Sequence, residues 1–280
     1  MDFVYENILN HRNNIRETYM TIPKIASYAM PQVNEFTANK THWQLDAKKS
    51  VLLVHDMQQY FLDFYDQTQQ PIPELLRNTQ ALIAQARQLN IPVVYTAQPG
   101  DQTPEHRQLL TDFWGTGLKA DPQITRIHPD VAAIEPDIVM TKWRYSAFKF
   151  SDFEQRMQQW GRDQLVICGV YAHIGCLMSA AEAFMLNIKP FVCGDAMADF
   201  SREEHDMALK YISTRCGQVM STNQVLRLWE LKDMATVLSK EGIIAAVSEQ
   251  LQIPVTEIEL HDDLLMLGLD SVRLMTLVGK

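Results

Sequence analysis

Asp56 is the residue whose placement most invites chemistry. It ends the run Val51-Leu-Leu-Val-His-Asp56, where four apolar residues and a histidine lead to a carboxylate. An unbroken apolar run suits a strand buried on both faces of a parallel sheet. The carboxyl ends of such strands are where open α/β sheets place their ligands. A carboxylate there either caps the helix that follows or acts as a reactive group. Other polar groups sit at equivalent points after later apolar runs: Gln98, Lys142 and the stretch Tyr171 to Gly175. Lys142 alone reads as a surface charge, but polar groups at the ends of four neighbouring strands point to one shared rim.

The elements that must position these groups alternate. Apolar runs predict strands over 51–55, 91–96, 138–141, 165–169, 190–193 and 218–221. Helical spacing predicts helices over 73–89, 104–113, 151–160, 175–186 and 201–216, with Ser151/Glu154 and Ser201/Glu204 as capping boxes. Strands alternating with helices mean βαβ units, a mainly parallel sheet and right-handed crossovers. The expected fold class is α/β: a doubly wound, Rossmann-like sheet of about six strands with helices on both faces. Residues 1–21 read as an extension, 22–221 as this α/β domain and 222–233 as a linker. Residues 234–280 lack strand signals and predict two helices around an acidic loop, the second starting near Asp270.

Bulk composition narrows the function classes. The 280 residues carry a net charge of −9, which argues against a nucleic-acid surface, since that would need a basic stripe. Cys168, Cys176, Cys193 and Cys216 lie in apolar segments with no C-x-x-C spacing, so they read as buried thiols. No leader-like segment and no long uncharged apolar run occurs, so the expectation is a soluble cytoplasmic protein without membrane contact.

Several blocks together resemble the isochorismatase family: Leu53-Val-His-Asp-Met-Gln58, Tyr95-Thr-Ala-Gln-Pro99, Asp112-Phe-Trp-Gly-Thr-Gly117, Lys142-Trp-Arg-Tyr-Ser-Ala-Phe148, Gly169-Val-Tyr-Ala-His-Ile-Gly-Cys176 and Asp195-Ala-Met-Ala-Asp-Phe-Ser201. The resemblance implies hydrolysis of the vinyl ether of isochorismate to pyruvate and 2,3-dihydro-2,3-dihydroxybenzoate, a step of catechol siderophore synthesis. It also implies a non-proline cis peptide at Val170–Tyr171. In thiol hydrolases of the superfamily the nucleophile falls where this chain has Gly175. Cys176 is one residue later, and one helical step turns a side chain by about 100°. Covalent thiol catalysis is thereby disfavoured and proton transfer remains, with Asp56 as general acid. The resemblance places Lys142 and Gly175 in the catalytic set and Gln98, Arg107, Trp114 and Tyr171 around the substrate. His55 and His173 read as structural. The hydrolase domain is expected to need no cofactor and no metal ligand. Competing expectations are a Cys176 amidohydrolase and a carrier or scaffold protein with an inactive hydrolase domain.

The tail resembles an aryl carrier domain. Leu-Gly-Leu-Asp-Ser271 follows an acidic loop, which implies 4′-phosphopantetheine on Ser271. Only nine residues follow Ser271, so the carrier half is expected to be incomplete. At the front, Met20-Thr-Ile-Pro-Lys-Ile-Ala-Ser-Tyr resembles a family N-terminus, and the preceding residues read as an upstream start. Partners implied by the resemblance are a 2,3-dihydroxybenzoate-AMP ligase, a phosphopantetheinyl transferase and a nonribosomal peptide synthetase. A homo-oligomer, a dimer in the first instance, would form through helices flanking the sheet.

Overall fold

The computed structural model describes residues 22–237 and, beyond them, Ile244, Val247, Ser248, Leu251 and Pro254. Expectations for residues 1–21, for the acidic loop and for Asp270 and Ser271 lie outside the described residues. The chain divides into two units, Met1–Leu226 and Arg227–Lys280.

The first unit is built on a six-stranded sheet. Its strands are β1 (Ser50–His55), β2 (Val93–Ala97), β3 (Ile138–Thr141), β4 (Gln164–Val170), β5 (Lys189–Ala198) and β6 (Gln218–Met220). They lie in the order β3-β2-β1-β4-β5-β6, every pair parallel. All six residues of β1 and all seven of β4 are buried, which is why both read as continuous apolar runs. Strand order reverses between β1 and β4, and that switch point is where doubly wound sheets open a crevice.

Helices cover both faces. Alternate residues Val51, Leu53, Leu165 and Ile167 share one core with Phe153, Met157, Ala180, Ala183 and Ile212 from the helices Phe153–Gln159, Leu177–Met185 and Arg202–Arg215. The helix Ile72–Gln88 packs on β1, β2, β4 and β5 with Leu75, Leu82 and Ala86 buried. Its apolar positions recur at helical spacing, as the sequence predicts.

Two local expectations need correction. Residues 104–113 form two short helices, Pro104–Arg107 and Leu110–Trp114, broken at Gln108 with φ 51°. The break turns Arg107 inward while Leu109 and Phe113 stay exposed. Ser151 does not form a capping box: its Oγ accepts from Phe153 N–H at 3.3 Å and donates to Ala147 O at 2.7 Å, while Glu154 accepts from Gln158. Ser201 does cap, accepting from Glu204 N–H at 3.1 Å. The stretch 222–233 expected between the domains is helical, part of Thr222–Val237, and the division between the two units falls inside it, between Leu226 and Arg227. That stretch holds no Gly or Pro and is rich in helix formers, which is why it is helical.

Candidate active site

At the switch point, Asp56 leaves β1 with φ 49°, a left-handed backbone unusual for a non-glycine residue. It is 4% exposed and caps nothing, because the short helix Gln59–Leu62 begins from Gln58 without a side-chain cap. Its carboxylate is held from two sides instead. Thr96 at the end of β2 donates its hydroxyl to Oδ1 at 2.6 Å and accepts from the Asp56 N–H at 3.0 Å. Lys142, just past β3, donates to Oδ2 at 2.7 Å. The Lys142 backbone is fixed in turn by Ala97 O at 2.9 Å.

Burial pushes the Asp56 carboxyl upward, but the Lys142 ammonium, with the Thr96 hydroxyl, holds it below the ordinary aspartate value. In the ligand-free protein Asp56 is therefore an anion. His55, fully buried, is pulled below the usual histidine value by burial and is neutral. Its Nδ1 lies 2.8 Å from Val170 O and 3.9 Å from Asp56 Oδ2.

A pocket opens over this pair. Asp56, Gln98, Arg107, Trp114, Lys142, Tyr171 and Gly175, which are all the residues expected in the α/β domain's site, line it. Its volume of about 50 Å³ is room for a water or two, so a ring-sized ligand enters only as the walls shift. Arg107 is 4% exposed and gives Nε to Gly115 O at 2.5 Å and Nη2 to Trp114 O at 3.2 Å. Its Nη1 is buried without a hydrogen-bond partner. A Cβ on Gly117, which has φ 80°, would press on that guanidinium. A buried donor left unmade at the wall of a pocket suits an anionic ligand.

The aromatic wall is firmly tied. Trp114 Nε1 donates to Tyr145 Oη at 2.8 Å, and its ring meets Phe200 edge-on. Tyr171 follows a cis peptide at Val170–Tyr171, as the resemblance implies. The Tyr171 hydroxyl donates to Phe61 O at 3.0 Å, so the residue offers the pocket its ring and not a free donor. Gln98 is fixed through its backbone, whose N–H and carbonyl both bond the Gln58 side chain.

The thiol question has a geometric answer. Tyr171 leads into a wide turn, Ala172–Cys176, in which Cys176 N–H bonds Tyr171 O at 3.2 Å. Gly175 faces the pocket from this turn. Cys176 is fully buried in the core with Leu53, Val94 and Phe148, and burial pushes its thiol far above the ordinary cysteine value. A thiol that stays protonated inside an apolar core is no nucleophile.

Sequence reasoning missed several parts of the wall. Thr96 orients the carboxylate, and His55, Tyr60, Tyr145, Ile174 and Phe200 line the pocket. Thr96 stands one residue beyond the register pair Val54–Tyr95, so it becomes visible only when the strand order is known. His173, expected to be structural, pairs with buried Asp199 at 2.5 Å. With Glu204 these two bring three possible metal-ligand atoms within 4.8 Å, although no metal ligand was expected. Asp199 commits Oδ1 to His173 Nδ1 and Phe200 N–H, and Oδ2 to His173 N–H, which suits a fold brace better than a cation. Among the described residues no helix is long and apolar enough to cross a membrane.

Comparison with known proteins agrees with this architecture. Residues 50–224 match the isochorismatase domain, and residues 241–280 match the phosphopantetheine attachment site. An isochorismatase from Bacillus subtilis is 46% identical over 274 residues, covering 93% of this chain and 87% of that protein. Enterobactin synthase component B from Escherichia coli is 41% identical over 261 residues, covering 93% and 89%. Among solved structures, a cysteine hydrolase from Pseudomonas syringae pv. phaseolicola superposes with a TM-score of 0.62 at 20% identity, covering 68% of this chain and 96% of that one. That likeness speaks for the fold alone. A family model spanning more than half of the chain, joined to relatives above 40% identity along nearly all of it, means that this chain belongs to the isochorismatase family and carries a phosphopantetheine-attachment segment behind its α/β domain.

Proposed function

We propose that the chain hydrolyses the vinyl ether of isochorismate to 2,3-dihydro-2,3-dihydroxybenzoate and pyruvate by general-acid catalysis. The observation that carries this reading is the Asp56–Lys142 pair, at 2.7 Å and almost fully buried, facing Gly175 while the neighbouring thiol lies in the core. The site offers a proton donor and cations but no side-chain nucleophile at position 175.

Isochorismate is a dianion. Its two carboxylates go to Arg107, through the unpartnered Nη1, and to Lys142. A carboxylate that draws on Lys142 weakens the interaction holding Asp56 ionised. It also adds negative charge and expels water, and each effect raises an aspartyl pKa. Asp56 then takes up a proton. That proton passes to the methylene carbon of the vinyl ether, whose π electrons form the new C–H bond and leave an oxocarbenium ion. Water adds to the cationic carbon and gives up a proton that restores the acid. The resulting hemiketal breaks its bond to the ring oxygen, which leaves protonated as the diol while the carbonyl of pyruvate forms. A positioned general acid contributes roughly 10²–10⁴-fold to such a step.

Pyruvate release from isochorismate, with Asp56→Ala as control, tests the reading. Turnover by the unaltered protein and its collapse in the variant are expected. Equal inactivity of the two would leave a protein with a carrier or scaffold role only.

We further place 4′-phosphopantetheine on Ser271. Support comes from the match over 241–280 and the Leu-Gly-Leu-Asp-Ser271 sequence. Mass spectrometry after treatment with a phosphopantetheinyl transferase should find the added arm, and Ser271→Ala should abolish it. The pathway partners would be an aryl-AMP ligase and a nonribosomal peptide synthetase, acting in the cytoplasm. Assembly as a dimer through a sheet-flanking helix fits the exposed Met178 and Met185 of Leu177–Met185. Sedimentation at monomer mass would overturn it.

A further inference from the structure

We infer that His55 is a positioning residue of this site, and that its imidazole is what keeps position 175 free of any side chain. The second part rests on geometry alone; the first rests on the hydrolase reading above.

His55 is fully buried beside Asp56 at the end of β1, and its ring is packed directly on Gly175. A Cβ built on Gly175 would lie 2.7 Å from His55 Nε2, 2.8 Å from Nδ1 and closer still to Cε1. Real Cβ atoms do not approach a ring so closely, so either the ring or the turn would have to move. The obstacle is a rigid imidazole, not the end of a flexible chain. A side-chain nucleophile at position 175 therefore needs the His55 ring displaced or replaced.

The same ring joins the segments that carry the site. Nδ1 lies 2.8 Å from Val170 O, and the single proton of the neutral ring belongs there. This ties β1 to the peptide before Tyr171 and to the turn that presents Gly175. On the other side Nε2 packs 3.3 Å from Tyr145 O, in the segment that begins with Lys142, as a contact and not a hydrogen bond, because the neutral ring has no second proton to donate. Asp56, Lys142, Tyr171 and Gly175 thus come from three strand ends that meet at one buried side chain. Removing the ring frees those ends to shift relative to one another, and a misplacement near 1 Å is enough to cost about 100-fold in rate.

The two roles separate by substitution. His55→Asn keeps an N–H donor where Nδ1 stands but removes the outer ring atoms; His55→Ala removes both. His55→Ala should lower kcat roughly 10- to 100-fold with KM changed much less, and His55→Asn should recover most of that loss. Gly175→Ala should lower kcat by a similar factor in the parent protein and do little further harm in the His55→Ala background, whereas the group that His55→Asn keeps at the Nδ1 position would still lie 2.8 Å from the new Cβ. Equal losses for His55→Asn and His55→Ala would overturn the positioning role. An equal penalty for Gly175→Ala in both backgrounds, or no penalty in the parent, would overturn the steric role. Thermal melting of the same four proteins repeats the steric test without substrate. The Gly175→Ala drop in Tm should be present with His55 and absent with His55→Ala. Absence of turnover by the parent protein would therefore count against the hydrolase reading while leaving this coupling readable.

Discussion

Two buried carboxylates stand on the same rim of this sheet, and only one of them faces a pocket. Asp56 is 4% exposed and Asp199 is 0% exposed, and each has a basic side chain at 2.5–2.7 Å. Burial and pairing do not separate them. What separates them is the use of the oxygens. Asp199 accepts from two backbone N–H groups, of His173 and Phe200, besides the His173 ring. Its own backbone N–H and carbonyl bond the hydroxyls of Tyr28 and Tyr65. Those bonds hold a turn in place. Asp56 takes its partners only from side chains apart from its own chain segment, Thr96 and Lys142, and opens toward Gly175 and Arg107. A carboxylate bonded mainly by backbone builds the fold; one bonded by side chains at a cavity wall is free to change its proton count.

The comparison breaks most visibly in turnover. Asp56→Asn should lower kcat by about 10²–10⁴-fold, the usual contribution of a general acid. Asp199→Asn should lower the melting temperature while leaving most of kcat in the protein that remains folded. The reverse pattern, read by pyruvate release and thermal melts, would exchange the roles of the two residues. Lys142→Met comes next. It strands an ionised, buried Asp56, and breaking such a pair costs about 3–5 kcal/mol. Urea unfolding at neutral pH should show that loss, and adding Asp56→Asn should restore much of it; additive losses would mean the two groups are not coupled. Thr96→Val removes one hydrogen bond to a charged oxygen, worth roughly 1.5–3 kcal/mol. The loss should appear in kcat more than in KM, and an unchanged kcat would show that Thr96 orients nothing.

The smallest effect concerns pH. Burial draws His173 downward, but its hydrogen bond to Asp199 and the charges of Asp199 and Glu204 raise it overall. A raised folded value means the stabilisation is complete below the unfolded value, about 6.5, and is lost as pH rises through the folded value. Asp56, depressed, behaves oppositely, losing its stabilisation as pH falls through its folded value. Melting curves of His173→Gln against the parent, taken from below pH 6.5 upward, should converge as pH rises.

Much of this was legible in the sequence, and the remainder has a common cause. β1 and β4 are buried on both faces, so their apolar runs were unmistakable, and the polar residues ending each strand pointed to one rim. Gly175 and Cys176 could be told apart because one residue of offset in a helical turn changes the face. Contacts between strand ends were not legible. Thr96 meets Asp56 because β2 lies beside β1, and His55 meets Gly175 because β4 lies on the other side. Local patterns also misled where tertiary needs override them. Residues 104–113 carry a helical pattern, yet the chain breaks at Gln108 to bury Arg107.

Proton uptake on ligand binding tests the central claim most directly. A non-hydrolysable dicarboxylate analogue of isochorismate, titrated calorimetrically near pH 7 in buffers of different ionisation heat, reports how many protons enter the complex. Because Lys142 holds Asp56 ionised in the free protein, an aspartate that becomes an acid in the complex must take up a proton. Uptake approaching one proton is expected for the parent protein and none for Asp56→Asn. Tight binding by the parent with no uptake would show that Asp56 stays an anion, and the proton delivered to carbon would have to come from another group.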